Sequence, residues 1–160
     1  MEDAIGRYAE FVKLILPKRE DLSGMKIVLD CSNGASYKVG PSVLFELGAE
    51  SIIIGAEPNG MNINFECGAM FPKQMAQTTK LEKADLGIAL DGDADRVIFS
   101  DENGEIIHGD QIIALLAKEM KINNELNNDQ VVGTLMSNLG LEKFLNKLNI
   151  NFHRTNVGDR

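Results

Sequence analysis

The sequence predicts an α/β protein. Three layers are expected, a mixed and mainly parallel sheet with helices on both faces, followed by an incomplete second α/β unit. Three observations carry this. Short apolar runs at Lys26–Leu29, Ser51–Ile54 and Leu86–Leu90 alternate with segments of helical period, the pattern of strands joined by right-handed helical crossovers. An Asn-Gly pair between apolar runs, in Asp101-Glu102-Asn103-Gly104, signals a hairpin at one side of that sheet. The composition then changes at Lys121–Gln130, where Asn and charged residues crowd together.

Residues Ala4–Leu16 form the first helix, with Tyr8, Phe11, Val12 and Ile15 at helical spacing, and Pro17 ends it because the residue before proline avoids the helical region. The run Lys26–Leu29 is a buried strand that exits into a small-residue turn, Ser32–Ser36. That turn lacks the lysine and hydroxyl pair of a phosphate-cradling loop, so a tight strand-to-helix connection is the better account. Pro41 and Gly48 bracket a short helix, proline inside its start and glycine past its end. Ser51–Ile54 is the next strand, and Glu57–Gly68 reads as loop. Helix resumes over Pro72–Lys83, ahead of the strand that ends at Asp91. Beyond the hairpin, Asp110 is placed to cap a helix whose Ile112, Ile113, Leu115, Leu116 and Met120 cover most of its circumference, which predicts burial.

Lys121–Gln130 is expected to be a linker. It is followed by a strand at Val131-Val132, a helix with Leu141, Phe144, Leu145 and Leu148 on one face, and a strand near Phe152. A single strand–helix–strand unit buries little surface, so residues 128–160 are expected to open a second domain after a first spanning 1–127.

Bulk properties exclude several function classes. The chain has 160 residues, 44% apolar and 25% charged, with a net charge of −8. An acidic balance argues against nucleic acid as a partner, which needs a basic face. No apolar stretch has the length of a membrane span. Cys31 and Cys67 have no metal-like spacing and read as free thiols in a reducing, cytoplasmic setting. His108 and His153 sit in no ligand-spaced motif.

The chemistry concentrates in Asp91-Gly92-Asp93-Ala94-Asp95-Arg96, directly behind an apolar strand. Carboxylates about 5 Å apart repel by roughly 1 kcal/mol in water and about 3 kcal/mol at an effective dielectric near 20, so a loop of three needs a cation. Oxygen donors favour Mg²⁺ or Ca²⁺ over zinc. A calcium hand matches in part, with acids at its first, third and fifth positions and Glu102 at its twelfth. It fails at the sixth, where the sharp turn needs glycine and Arg96 stands, and Val97-Ile98-Phe99 continues as strand. Beside a metal, Arg96 suits a phosphate ligand, because Mg²⁺ completes its shell with phosphate and water while guanidinium binds phosphate bidentately. Neutralising the aspartates is its other role, and the two are compatible.

The loop resembles the metal loop of the α-D-phosphohexomutases. Ala4-Ile5-Gly6-Arg7-Tyr8, Leu29-Asp30-Cys31-Ser32-Asn33-Gly34-Ala35, Asn62-Ile63-Asn64, Cys67-Gly68 and Val157-Gly158-Asp159-Arg160 resemble the phosphoglucosamine mutase branch. The chain departs from that pattern at Phe65 and at Met70-Phe71. The resemblance implies the second domain of such an enzyme and the start of its third. It also implies Mg²⁺ on Asp91, Asp93 and Asp95, with Arg96 as a catalytic phosphate contact. The reaction implied is phosphoryl exchange between C6 and C1 of a sugar phosphate through a phosphoserine carried elsewhere in the same enzyme. These 160 residues alone would then be inactive and would depend on the remaining domains. Gly158, Asp159 and Arg160 would open a sugar-facing loop, glycine allowing close approach and the charged pair suiting hydroxyl and phosphate contacts. Phosphomannomutase/phosphoglucomutase chemistry, or a metal-binding module without catalysis, remain alternatives.

Overall fold

The structure, a computed structural model, describes residues 3–17 and 20–158. The chain divides into two compact units, residues 1–107 and 108–160.

In the first unit a five-stranded sheet has the order β2-β1-β3-β4-β5. Its strands are β1 (Lys26–Asp30), β2 (Glu50–Ile54), β3 (Leu86–Leu90), β4 (Val97–Ser100) and β5 (Ile106–Ile107). β2, β1 and β3 run parallel in register Val28↔Ile52 and Val28↔Gly87, whereas β4 is antiparallel to β3 and β5 to β4. The hairpin forms as the Asn-Gly pair predicts, with Gly104 at φ +77°. Helices α1 (Ala4–Lys13), α2 (Val39–Glu46) and α3 (Lys73–Leu81) complete the unit.

Period-two alternation along β1 divides the core. Ile27 and Leu29 pack with Leu44 of α2 and with Ile53 and Ile88, while Val28 packs with Met75 and Ala76 of α3 and with Ala89. Both faces of β1 are therefore covered, as expected for parallel strands. Burying each such aliphatic side chain contributes about 1.5–3 kcal/mol. The first helix differs from expectation. α1 packs against α2 and buries Ala9, and Lys13 pairs with Glu10 at 2.6 Å and with Glu46 of α2, but Tyr8, Phe11 and Ile15 stay exposed.

The second unit holds α4 (Gly109–Ile122), β6 (Gln130–Thr134), α5 (Leu139–Lys147) and β7 (Asn151–Thr155), with β6 and β7 a parallel pair. Three expectations change here. The division falls at Ile107/His108, not at 127/128, because Ala117 of α4 shares a core with Leu141, Leu145 and Ile150. The presumed linker thus lies inside this unit. His108, not Asp110, is the N-cap of α4. Gln111 reaches back to the His108 N–H (2.8 Å), and Asp110 instead accepts from Asn138 N–H (2.8 Å) at the N-cap of α5. Finally, α4 is not buried all round, since Leu115 and Leu116 are more than half exposed. A two-stranded sheet offers too little surface to cover them.

Candidate metal centre

β1, β2 and β3 end at the same edge of the sheet, and three loops meet there. The first is the turn after β1, the second runs from Gly55 to Gly68, and the third is Asp91–Arg96.

Asp30, the last residue of β1 and fully buried, holds the first two together. One of its carboxylate oxygens accepts the Ser32 N–H (2.8 Å) and the other the Gly68 N–H (2.7 Å). Asn64 joins the second loop to the third: its Oδ1 accepts both the Ser32 hydroxyl (2.8 Å) and the Gly92 N–H (2.9 Å). The first loop also touches the third directly, through Ala35 N–H donating to Gly92 O at 2.8 Å. The approach is close enough that a Cβ on Gly34 would lie 2.2 Å from Gly92 O. Glycine is required there by contact, and at Gly68 by contact and by φ +71°.

On this support the acidic loop closes on itself. Ala94 N–H donates to Asp91 O (3.0 Å), and Arg96 N–H donates to Asp91 Oδ1 (3.0 Å). Ala94 takes φ +62°, a left-handed conformation that costs an alanine about 1 kcal/mol. In this arrangement one carboxylate oxygen from each of Asp91, Asp93 and Asp95 lies within 4.8 Å of the others. Asp91 is buried, and Asp93 and Asp95 are exposed. Three convergent hard oxygen donors with open solvent on one side fit a divalent cation that keeps room for water or phosphate.

Arg96 Nε donates to Asp91 Oδ2 at 2.7 Å and lies 3.5 Å from Asp95. Burial pushes the Asp91 carboxyl up, but the two hydrogen bonds from Arg96 and its charge outweigh this and hold it below the ordinary carboxylate range. The charge of Asp93, with partial desolvation and Asp91, raises Asp95. Each Asp91 oxygen accepts one bond and keeps lone-pair capacity for a cation. The guanidinium uses Nε on Asp91, while one terminal nitrogen lies 3.5 Å from Met70 Sδ and the side chain stays more than half exposed. Neutralisation is therefore visible in the geometry, and the exposed terminal nitrogens remain able to meet an anion.

The other expected site residues lie in the second unit. Gly158 is exposed beyond β7, and a Cβ there would meet nothing within 4 Å. Asp159 and Arg160 lie outside the described residues. Asp30 and Asn64 carry no role in the sequence reading, yet they organise the loop edge. The signal for Asp30 is legible: like Asp91, it is an acid closing a buried apolar run.

Fold and site together define an α/β sheet with three convergent carboxylates, a group able to hold a metal ion, at the carboxyl ends of its strands. The chain belongs to the phosphoglucomutase/phosphomannomutase family. Residues 7–104 match that family's alpha/beta/alpha domain II and residues 108–160 its alpha/beta/alpha domain III. Among curated relatives, it is 53% identical over 160 residues to the phosphoglucosamine mutase of Parvibaculum lavamentivorans, covering all of this chain and 36% of the relative. It is 54% identical over 156 residues to that of Agrobacterium fabrum, covering 98% and 35%. The chain thus spans little more than a third of these relatives' length. The fold is also that of a phosphoglucomutase/phosphomannomutase family protein from Burkholderia thailandensis, with a TM-score of 0.79 and 21% identity over 98% of this chain and 34% of the other. An N-acetylglucosamine-phosphate mutase solved in its substrate complex shares the fold with a TM-score of 0.65 and 19% identity, over 96% and 32%.

Proposed function

We propose that the chain supplies the metal-binding domain II, and residues of domain III, of a phosphoglucosamine mutase. That enzyme interconverts glucosamine 6-phosphate and glucosamine 1-phosphate through a phosphoserine outside these residues. The observation that carries this is the convergence of Asp91, Asp93 and Asp95 beside Arg96. The choice of amino sugar rests on the names and identity of the curated relatives.

Asp91, Asp93 and Asp95 would hold Mg²⁺, which supplies electrostatic stabilisation of the transferring phosphoryl group. Arg96 does two things: Nε fixes Asp91, and the terminal nitrogens address a phosphate oxygen. Asp30, Asn64 and Gly34 keep the loop rigid, so that its geometry is preorganised. Gly158, Asp159 and Arg160 would meet the sugar phosphate from beyond the carboxyl end of β7, the position at which open sheets present ligands. We place the enzyme in the cytoplasm, a reducing compartment compatible with the two buried free thiols Cys31 and Cys67. Its partners are its own remaining domains and the sugar phosphate, with neither nucleic acid nor membrane.

The test is a chimera. Replacing the matching residues of the Parvibaculum enzyme with these 160 should retain turnover of glucosamine 6-phosphate, and the chain alone should show none. Turnover by the chain alone, or a chimera that prefers a mannose or glucose phosphate, would overturn the reading.

A further inference from the structure

One sulfur atom stands against the cation of the acidic loop. Met70 closes the short helical turn Gly68–Met70. The Gly68 N–H is held by Asp30, and a Cβ on Gly68 would lie 2.4 Å from Leu90 O, at the end of β3. From this anchored turn Met70 places Sδ 3.5 Å from a terminal guanidinium nitrogen of Arg96, while its side chain remains open to solvent at 58% exposure. Met70 is also a position at which the chain departs from the pattern it resembles, so the resemblance assigns it no role.

Among the described methionines, exposure and a hydrogen-bonded sulfur coincide only at Met70. Met61 and Met136 are more exposed, at 90% and 79%, but their sulfurs accept no hydrogen bond among the described residues. The Met75 sulfur does accept one, from the Ser100 hydroxyl at 3.2 Å, but Met75 is fully buried. The thiols are poor competitors for an oxidant. Cys31 and Cys67 are buried, and burial pushes both thiols up, Cys31 to about 11, which leaves little of the reactive thiolate.

A thioether is a weak acceptor, so it steadies the guanidinium without holding it against an anion. Oxidation turns this apolar group into a polar one, and a hydrogen bond from a charged donor is about twice as strong as a neutral one. We propose that Met70 is a site of reversible oxidation by hydrogen peroxide or an organic hydroperoxide, and that its sulfoxide captures the terminal nitrogens of Arg96 and withdraws them from phosphate. The inference rests on the reading of Arg96 as a phosphate contact. In the step, a lone pair of Sδ takes one peroxide oxygen. The S–O bond forms, the O–O bond breaks, and the second oxygen leaves with the peroxide's hydrogens as water, or as an alcohol. Sulfur loses two electrons and the peroxide gains them. Methionine's rotatable side chain lets the new oxygen reach the guanidinium, and methionine sulfoxide reductase reverses the change.

Peroxide treatment tests this in two arms. In NMR spectra of the 160-residue chain, the Arg96 side-chain resonance, assigned with Arg96→Lys, should shift on oxidation and return after reductase treatment. It should not move in Met70→Leu. In the chimera with the Parvibaculum enzyme, oxidation should lower turnover of glucosamine 6-phosphate by about tenfold, part of the roughly 100-fold that losing one donor costs. Met70→Leu should protect the chimera, whereas Met61→Leu and Met136→Leu should not. Equal inactivation of the unaltered and Met70→Leu chimeras would overturn the proposal. So would an Arg96 resonance that oxidation moves in both chains or in neither. A shifted resonance with full turnover would overturn it too, by showing that the captured nitrogens do not meet phosphate. A chimera inactive before oxidation would count against the proposed function, and the resonance arm would then decide whether Met70 captures Arg96.

Discussion

The Asp91–Arg96 loop and the Asp101–Gly104 turn are both acidic, both contain glycine and both leave strands of one sheet, yet their carboxylates are spent differently. In the turn, Asp101 Oδ1 accepts two backbone N–H groups, Asn103 at 3.0 Å and Glu105 at 2.8 Å, and the side chain serves the hairpin. In the loop, the backbone closes through Ala94 and Arg96, and Asp93 and Asp95 make no hydrogen bond to backbone N–H among the described residues. Their oxygens are left to converge with Asp91. Acid count alone does not make a metal site. What matters is whether the carboxylates are already consumed by the chain that carries them.

The sharpest way to break this comparison is to remove the charge from each region in turn. Asp91→Asn, Asp93→Asn and Asp95→Asn together should weaken Mg²⁺ or Mn²⁺ binding by about 100-fold or more, since removing even the supports of metal ligands costs 10–100-fold. Asp101→Asn with Glu102→Gln should leave the affinity unchanged. Equal effects in calorimetry would abolish the distinction.

A second test separates the two uses of Arg96. In the chimera, Arg96→Lys keeps the charge but loses the planar fork that reaches Asp91 and an anion together. We expect kcat to fall by about 100-fold, the scale for losing one donor to a developing charge. The melting temperature should move by only a few degrees. Near-normal turnover would reduce Arg96 to neutralising the aspartates.

The third test addresses the support that the turn after β1 gives the acidic loop. Gly34→Ala places a Cβ against the Gly92 carbonyl, a backbone atom that cannot swing aside. Destabilisation by about 1–3 kcal/mol is expected, together with weaker metal binding. Lost stability with intact metal affinity would show that the acidic loop holds its shape without its neighbour.

The smallest effect belongs to the turn. The Glu105 N–H holds the Asp101 carboxyl below its ordinary range, assisted by Asn103 and opposed by slight desolvation. A depressed folded value means that its stabilising contribution is present above about pH 4, the unfolded carboxylate range, and fades as pH falls through the lowered value. Asp101→Ala should therefore lower the melting temperature slightly at pH 7 and progressively less in strong acid. A pH-independent effect would mean that the side chain acts by packing and not by charge.

Local signals along the chain determined the elements and the donors. Apolar runs of strand length, prolines and glycines at helix ends, and the Asn-Gly turn place the strands and helices to within a few residues, because each is set by its own backbone preferences. The alternating aspartates marked the acidic loop as a candidate metal site for the same reason, since their repulsion is a property of neighbours in sequence. Tertiary structure alone decided what lies far apart in sequence. Asp30 clamping Gly68, Asn64 bridging Ser32 to Gly92, and Gly34 pressed on Gly92 arise because parallel strands deliver their loops to one edge. The division before α4 was likewise settled by packing, since Ala117 shares its core with Leu141, Leu145 and Ile150. Periodicity says that a helix has an apolar face, but which surface accepts that face depends on partners brought near only by the fold.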